Sequence, residues 1–208
     1  MSPSLEPIDV TVGRGIRDRR VVYRHTGVFD GTELTVLYLV DDDEHQRRKA
    51  LGVEAVTDER ILAALMELPT DDLGLLPERF RLIFQSPTAC NASVVIDDPD
   101  GARWGRRLIQ APVEVLEIQA RARTWARGSA IAHRWVGYGP RIVWIDKVPR
   151  DEAFLLTEAA HYGIGLVHGD EGRRLIAPSC YEPERWTSAR WRFAELVYDQ
   201  FLDAISIA

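Results

Sequence analysis

PDGARWGRRLIQAPVEVLEIQ, residues 99–119, decides how the rest of the chain is read. Pro99, Asp100 and Gly101 form a turn signal, because Pro fixes φ and Gly tolerates positive φ. From Val113 the sequence reads as a strand to about residue 120. There Val113, Val115, Glu117 and Gln119 share one face, and Glu114, Leu116 and Ile118 share the other. Two readings compete for the ends of the stretch. In one, Asp100, Glu117 and Gln119 form a polar site. In the other, residues 98–101 only turn a hairpin and bind nothing.

The chain has 208 residues, which sets the expectation at one domain, or one domain with an appendage. A hydrophobic content of 46% suffices for a real core. No apolar run approaches bilayer-spanning length. The first residues lack the basic-then-apolar pattern of a secretory signal. The expectation is a cytoplasmic protein with no membrane partner. Cys90 and Cys180 lie far apart and outside any CxxC pattern, as two free thiols in a reducing compartment would.

The net charge of −6 argues mildly against a nucleic-acid binder, but its distribution says more. The deficit lies wholly in residues 1–79. Residues 103–135 hold seven arginines (103, 106, 107, 121, 123, 127 and 134) against Glu114 and Glu117. Trp104, Trp125 and Trp135 are interleaved with them. Such a patch suits phosphate contacts and base stacking, while Trp135 and Trp144 read better as core between helix and sheet.

Outward from this stretch, residues 20–25 and 33–40 read as a hairpin turned by FDGT. DDDEHQRRKALGV (41–53) is expected to be a solvated charged face, with a short helix as the alternative. TDERILAALMELP gives a helix over 58–68, capped by Thr57 or Asp58 and ended by Pro69. FRLIFQ (80–85) and ASVVID (92–97) read as strands and 124–135 as a helix. RIVWID (141–146) is a strand, 150–162 a helix, IGLVH (164–168) a strand, 173–177 an extended piece and 184–205 a long helix. Short turns between the early strands predict a meander, and the later β-α-β alternation a parallel extension. The expected architecture is a mixed α/β sheet flanked by helices. Its boundaries are an N-terminal β-hairpin extension over 1–56 and a main domain over 57–208.

This order, αβββαβ over residues 57–146, resembles the PD-(D/E)XK superfamily with its restriction-endonuclease-like fold, as does EAAHYGIGLV at 158–167. The resemblance implies a Mg²⁺-dependent nuclease acting on DNA. Asp100 and Glu117 would be the metal ligands, and Gln119 would stand where the family usually has Lys. Carboxylates are the hard oxygen ligands that Mg²⁺ prefers. Gln offers donors and an acceptor but neither charge nor titration, so Arg121 or Arg123 would have to compensate. Arg103, Arg106, Arg107, Arg121, Arg123 and Arg127 are the expected DNA contacts. Three alternatives stay open. A shifted register puts the family Asp near Asn91 and leaves Asp100 a turn former. Shifted faces make Glu114 the ligand. A decayed site makes the chain a DNA-binding or protein-interaction subunit, in which a homodimer or partner contact could use the N-terminal hairpin.

Other motifs carry less. His161 and His168 with Cys90 or Cys180 lack zinc-site spacing. No GxSxG elbow and no phosphate-loop pattern occurs. Trp186, Arg190 and Phe193 share a helix side and read as packing.

Overall fold

The computed structural model describes residues 6–8, 21–147, 151–169, 172–179, 181 and 185–207. In chain order they form β1 (Glu6–Ile8), β2 (Val22–Phe29), β3 (Thr32–Val40), α1 (Asp42–Leu51), α2 (Glu59–Met66), β4 (Gly74–Leu75), α3 (Pro87–Asn91), β5 (Ser93–Asp97), β6 (Arg103–Arg107), β7 (Val113–Ala122), α4 (Trp125–Arg134), β8 (Arg141–Ile145), α5 (Glu152–His161), β9 (Ile164–His168), β10 (Arg173–Ile176) and α6 (Ser188–Ile207). The protein is mixed α/β. One sheet has the order β1-β2-β3-β7-β8-β9-β10 and a second the order β4-β6-β5. The chain divides into two compact units. Met1–Leu39, Val115–Glu184 and Ile207–Ala208 make one, and Val40–Glu114 with Arg185–Ser206 make the other.

The first unit is built on the seven-stranded sheet. Asp30 and Gly31 both take positive φ, 45° and 74°, and close β2 onto β3 with Phe29 opposite Thr32. Two left-handed residues in succession give the twist that a two-residue hairpin requires. β7, β8 and β9 run parallel, joined through α4 and α5, as the β-α-β alternation predicts. Trp125 and Ala132 of α4 and Leu155 and Ala159 of α5 pack on Val143, Ile145, Ile164 and Leu166. α4 lies close to the sheet because it carries Gly128. A Cβ there would stand 2.2 Å from Val143 Cγ1.

The hairpin read as an N-terminal extension is therefore an interior part of the main sheet. The sequence cannot show this, because β3 takes β7 as its neighbour across more than seventy intervening residues.

The second unit has its own core, in which Leu62 and Leu65 of α2 meet Val56, Leu68, Phe84, Ile109 and Trp191. Residues 80–85 do not form the expected strand. They make two single 3₁₀ turns, Glu78–Phe80 and Ile83–Gln85. Local bonds such as Phe80 N–H to Pro77 O (3.0 Å) and Gln85 N–H to Leu82 O (3.2 Å) use the backbone donors that a sheet would need. β5 pairs with β6, unforeseen as a strand, so the expected three-stranded meander is split between two sheets.

The 41–53 stretch is a helix whose outer side is the expected solvated charged face, but it also buries Glu44 and Arg48. The Asp41 carboxylate caps α1 by accepting from Glu44 N–H (3.0 Å), and Gly52 closes it in the left-handed conformation. Glu44 and Arg48 are buried at 1% and 0% exposure. The Arg48 guanidinium donates from Nε to Glu44 (2.9 Å) and from both Nη to the two oxygens of Glu195 (2.8 and 2.6 Å). It also donates to the carbonyls of Glu54 (3.3 Å) and Gln110 (2.7 Å). All five of its donors have acceptors. Glu195 also accepts from Val56 N–H (2.9 Å) and Trp191 Nε1 (2.8 Å). Burial alone would lower the Arg48 pKa, but Glu195 and Glu44 outweigh it and hold the group above its ordinary value. α6 supplies Trp191, Phe193, Glu195 and Tyr198 to the interior. Trp186 instead is exposed, with Arg190 stacked 4.3 Å from its ring centroid.

Candidate functional site

Burial on β7 alternates and sets two faces. Ile118, Ala120 and Ala122 are buried, while Glu117, Gln119 and Arg121 point the other way. Parallel partners share a face, and Gln119 pairs with Ile142 and Arg121 with Trp144. On the helix side Val143 and Ile145 meet α4 and α5. Opposite them, Arg24 and Thr26 of β2, Glu33 and Thr35 of β3, Gln119 and Arg121 of β7 and Trp144 of β8 line a cleft of about 500 Å³. The expectation that Trp144 fills the core is corrected. It is half-buried, because its register with Arg121 places it on the polar face.

The polar groups of this face bind one another through two short hydrogen bonds and two longer ion pairs. Gln119 Nε2 donates to Glu117 Oε1 (2.5 Å), and Arg174 of β10 places Nη2 3.6 Å from Glu117 Oε2. Glu117 is 18% exposed and Arg174 56%. The Thr26 and Thr35 hydroxyls share a hydrogen bond across the hairpin (2.8 Å). Arg121 Nε lies 3.7 Å from Asp146 Oδ1. An exposed ion pair of this length adds little stability.

The expected site residues separate. Glu117, Gln119 and Arg121 come together on this face. Asp100 belongs to the other unit and sits exposed in the β5–β6 turn, where its N–H donates to Asp98 Oδ1 (3.2 Å) and Gly101 takes φ 86°. That is the turn-former reading of the opening stretch. Asn91 ends α3 and is exposed. Glu114, also exposed, falls in the second unit. Arg103, Arg106 and Arg107 lie on β6, also in the second unit. Arg103 pairs with Asp97 through Nε and Nη2. Arg123 is exposed just past β7, and Arg127 is exposed on α4, the helix of the opposite sheet face. Cys180 lies outside the described residues.

Sequence reasoning missed Glu33, Thr35, Arg24 and Arg174. The signal was present in TELTV, residues 32–36, where Glu33 and Thr35 alternate with Leu34 and Val36. It points to the site only once β3 is known to neighbour β7, which the local sequence does not show.

Among the described residues no helix is long and apolar enough to cross a membrane, and no three His, Cys, Asp or Glu side chains gather as a metal-binding group. No family model matches the chain, and neither a curated protein nor a solved structure matches it.

Proposed function

We propose that the seven-stranded unit is a divergent restriction-endonuclease-like domain and that its open face cleaves DNA as a Mg²⁺-dependent nuclease. One observation carries the reading. Glu117 and Gln119 stand on the third of three neighbouring strands, β2-β3-β7, on the face that also presents Glu33 from the second. α4 then leads from that third strand to the parallel β8. The βββαβ order of the PD-(D/E)XK superfamily thus maps onto β2, β3, β7, α4 and β8, with residues 41–112 inserted between β3 and β7. The acid of the second strand becomes Glu33 in place of Asp100.

Two carboxylates and an amide oxygen are hard donors, and Mg²⁺ is commonly held by one or two carboxylates together with substrate phosphates. The donor set therefore fits the ion, with Glu33 and Glu117 as its holders. Bound there, Mg²⁺ would supply Lewis-acid charge and lower the pKa of an attacking water. The chain's own groups do the rest. The Gln119 amide, hydrogen-bonded to Glu117, orients water but cannot take up or release its proton. Arg174 beside Glu117 brings the positive charge that Gln119 lacks. Arg24 and Arg121 line the cleft where phosphate oxygens would lie.

The test is cleavage of supercoiled and single-stranded DNA with Mg²⁺ or Mn²⁺. Glu117→Ala and Glu33→Gln are expected to lose activity, Asp100→Ala to keep it, and Gln119→Lys to raise it. A second reading, the same face binding DNA without cutting it, is favoured by the engagement of both Glu117 oxygens by Gln119 and Arg174. It predicts salt-dependent DNA affinity with no cleavage in any variant.

A further inference from the structure

We propose that the second unit holds a phosphate-binding cleft of its own, built by Arg47 of α1 and Arg106 and Arg107 of β6. The cleft has a volume of about 320 Å³ and is also lined by Thr70, Asp71 and Gln110. It lies wholly within Val40–Glu114, so it does not rest on the nuclease reading of the other unit.

Each arginine is placed by a different contact. Arg47 Nη1 donates to the buried Glu44 carboxylate (2.5 Å), which anchors one end of the guanidinium and leaves its remaining donors. Arg107 stands with its guanidinium carbon 5.5 Å from the Trp191 ring centroid. Its Nε is buried and has no hydrogen-bond partner among the described residues. Burial lowers the Arg107 pKa. Arg106, next along the strand, is exposed and leaves the opposite strand face, so it borders the cleft without sharing Arg107's side. A buried donor without an acceptor is costly, and a turn of the Arg107 side chain toward an oxyanion in the cleft would relieve it. Guanidinium forks match phosphate oxygens two at a time, and the Thr70 hydroxyl adds another donor. Asp71 is the opposing charge and sets the sign of one test.

The ligand is a phosphate group, carried either by a nucleic-acid strand or by a free phosphorylated molecule. The probes are a short single-stranded oligonucleotide and inorganic pyrophosphate, each titrated into the full chain without divalent metal. The readout is the Nε–Hε NMR resonance of Arg107, assigned with Arg107→Gln. A shift is expected with at least one probe. Arg106→Gln should weaken it about tenfold, and Asp71→Asn should tighten binding severalfold. A response to the oligonucleotide alone identifies a strand. An equal response to pyrophosphate identifies a free phosphate ligand. Should Arg107→Gln not fold, the Arg106 and Asp71 variants still decide the matter through bulk affinity. No shift with either probe, or an affinity indifferent to both variants, overturns the proposal. DNA cleavage by the other unit is a separate readout, so either idea can fail alone.

Discussion

Arg48 and Arg174 both face glutamates, but they sit in opposite surroundings. Arg48 is fully buried, all five donors are taken, and both partner carboxylates are buried. Arg174 is more than half exposed, with Glu117 at 3.6 Å. A saturated network in a dry interior holds elements in place and has nothing left to offer a ligand. A longer, exposed ion pair beside an open cleft contributes little to stability. Degree of saturation thus separates the structural charges of the second unit from the candidate site of the first.

The largest effect should come from Arg48→Ala. Glu44 and Glu195 would be left buried and unpaired, at a cost of about 3–5 kcal/mol in urea unfolding. Adding Glu44→Gln and Glu195→Gln to Arg48→Met should recover part of that loss. If Arg48→Ala proves as mild as a surface change, the contrast between the regions is wrong.

Gly128→Ala comes next, at about 1–3 kcal/mol. Its Cβ would meet the stiff, fully buried Val143, and the better helix propensity of Ala does not offset the clash. A rise in melting temperature would show that α4 can move off the sheet.

Asp58→Ala should cost about 1 kcal/mol by removing the cap of α2. Arg60, through its side-chain hydrogen bond first, holds the Asp58 pKa below its ordinary value. The stabilisation is therefore present above the ordinary carboxylate pKa and lost as pH falls through the lowered one. The wild type and the variant should converge in acid.

Arg174→Ala should change stability least, within about 0.5 kcal/mol, yet reduce DNA cleavage. A large stability loss with unchanged cleavage would place Arg174 among the structural charges, beside Arg48.

Much of the first unit is legible locally. Phe29 to Thr32 names its own turn, the alternation of β7 names its two faces, and the β-α-β rhythm from β7 to β9 names a parallel crossover. The Glu117–Gln119 pair was readable for the same reason, since residues i and i+2 on a strand share a side. Glu33 was not readable as their companion, because joining β3 to β7 requires knowing that residues 40–114 fold apart. The burial of Arg48 was hidden likewise. Its acceptors come from residues 44, 54, 110 and 195, and the helix alone reads as charged and solvated.

By itself, then, the sequence determined what depends on neighbours along the chain: caps, turns, strand faces and the mixed α/β class. Only the tertiary structure decided which strands pair, which charges are buried and which acid shares a face with Glu117. Those outcomes depend on contacts between distant segments, where loop closure and burial outweigh local preference.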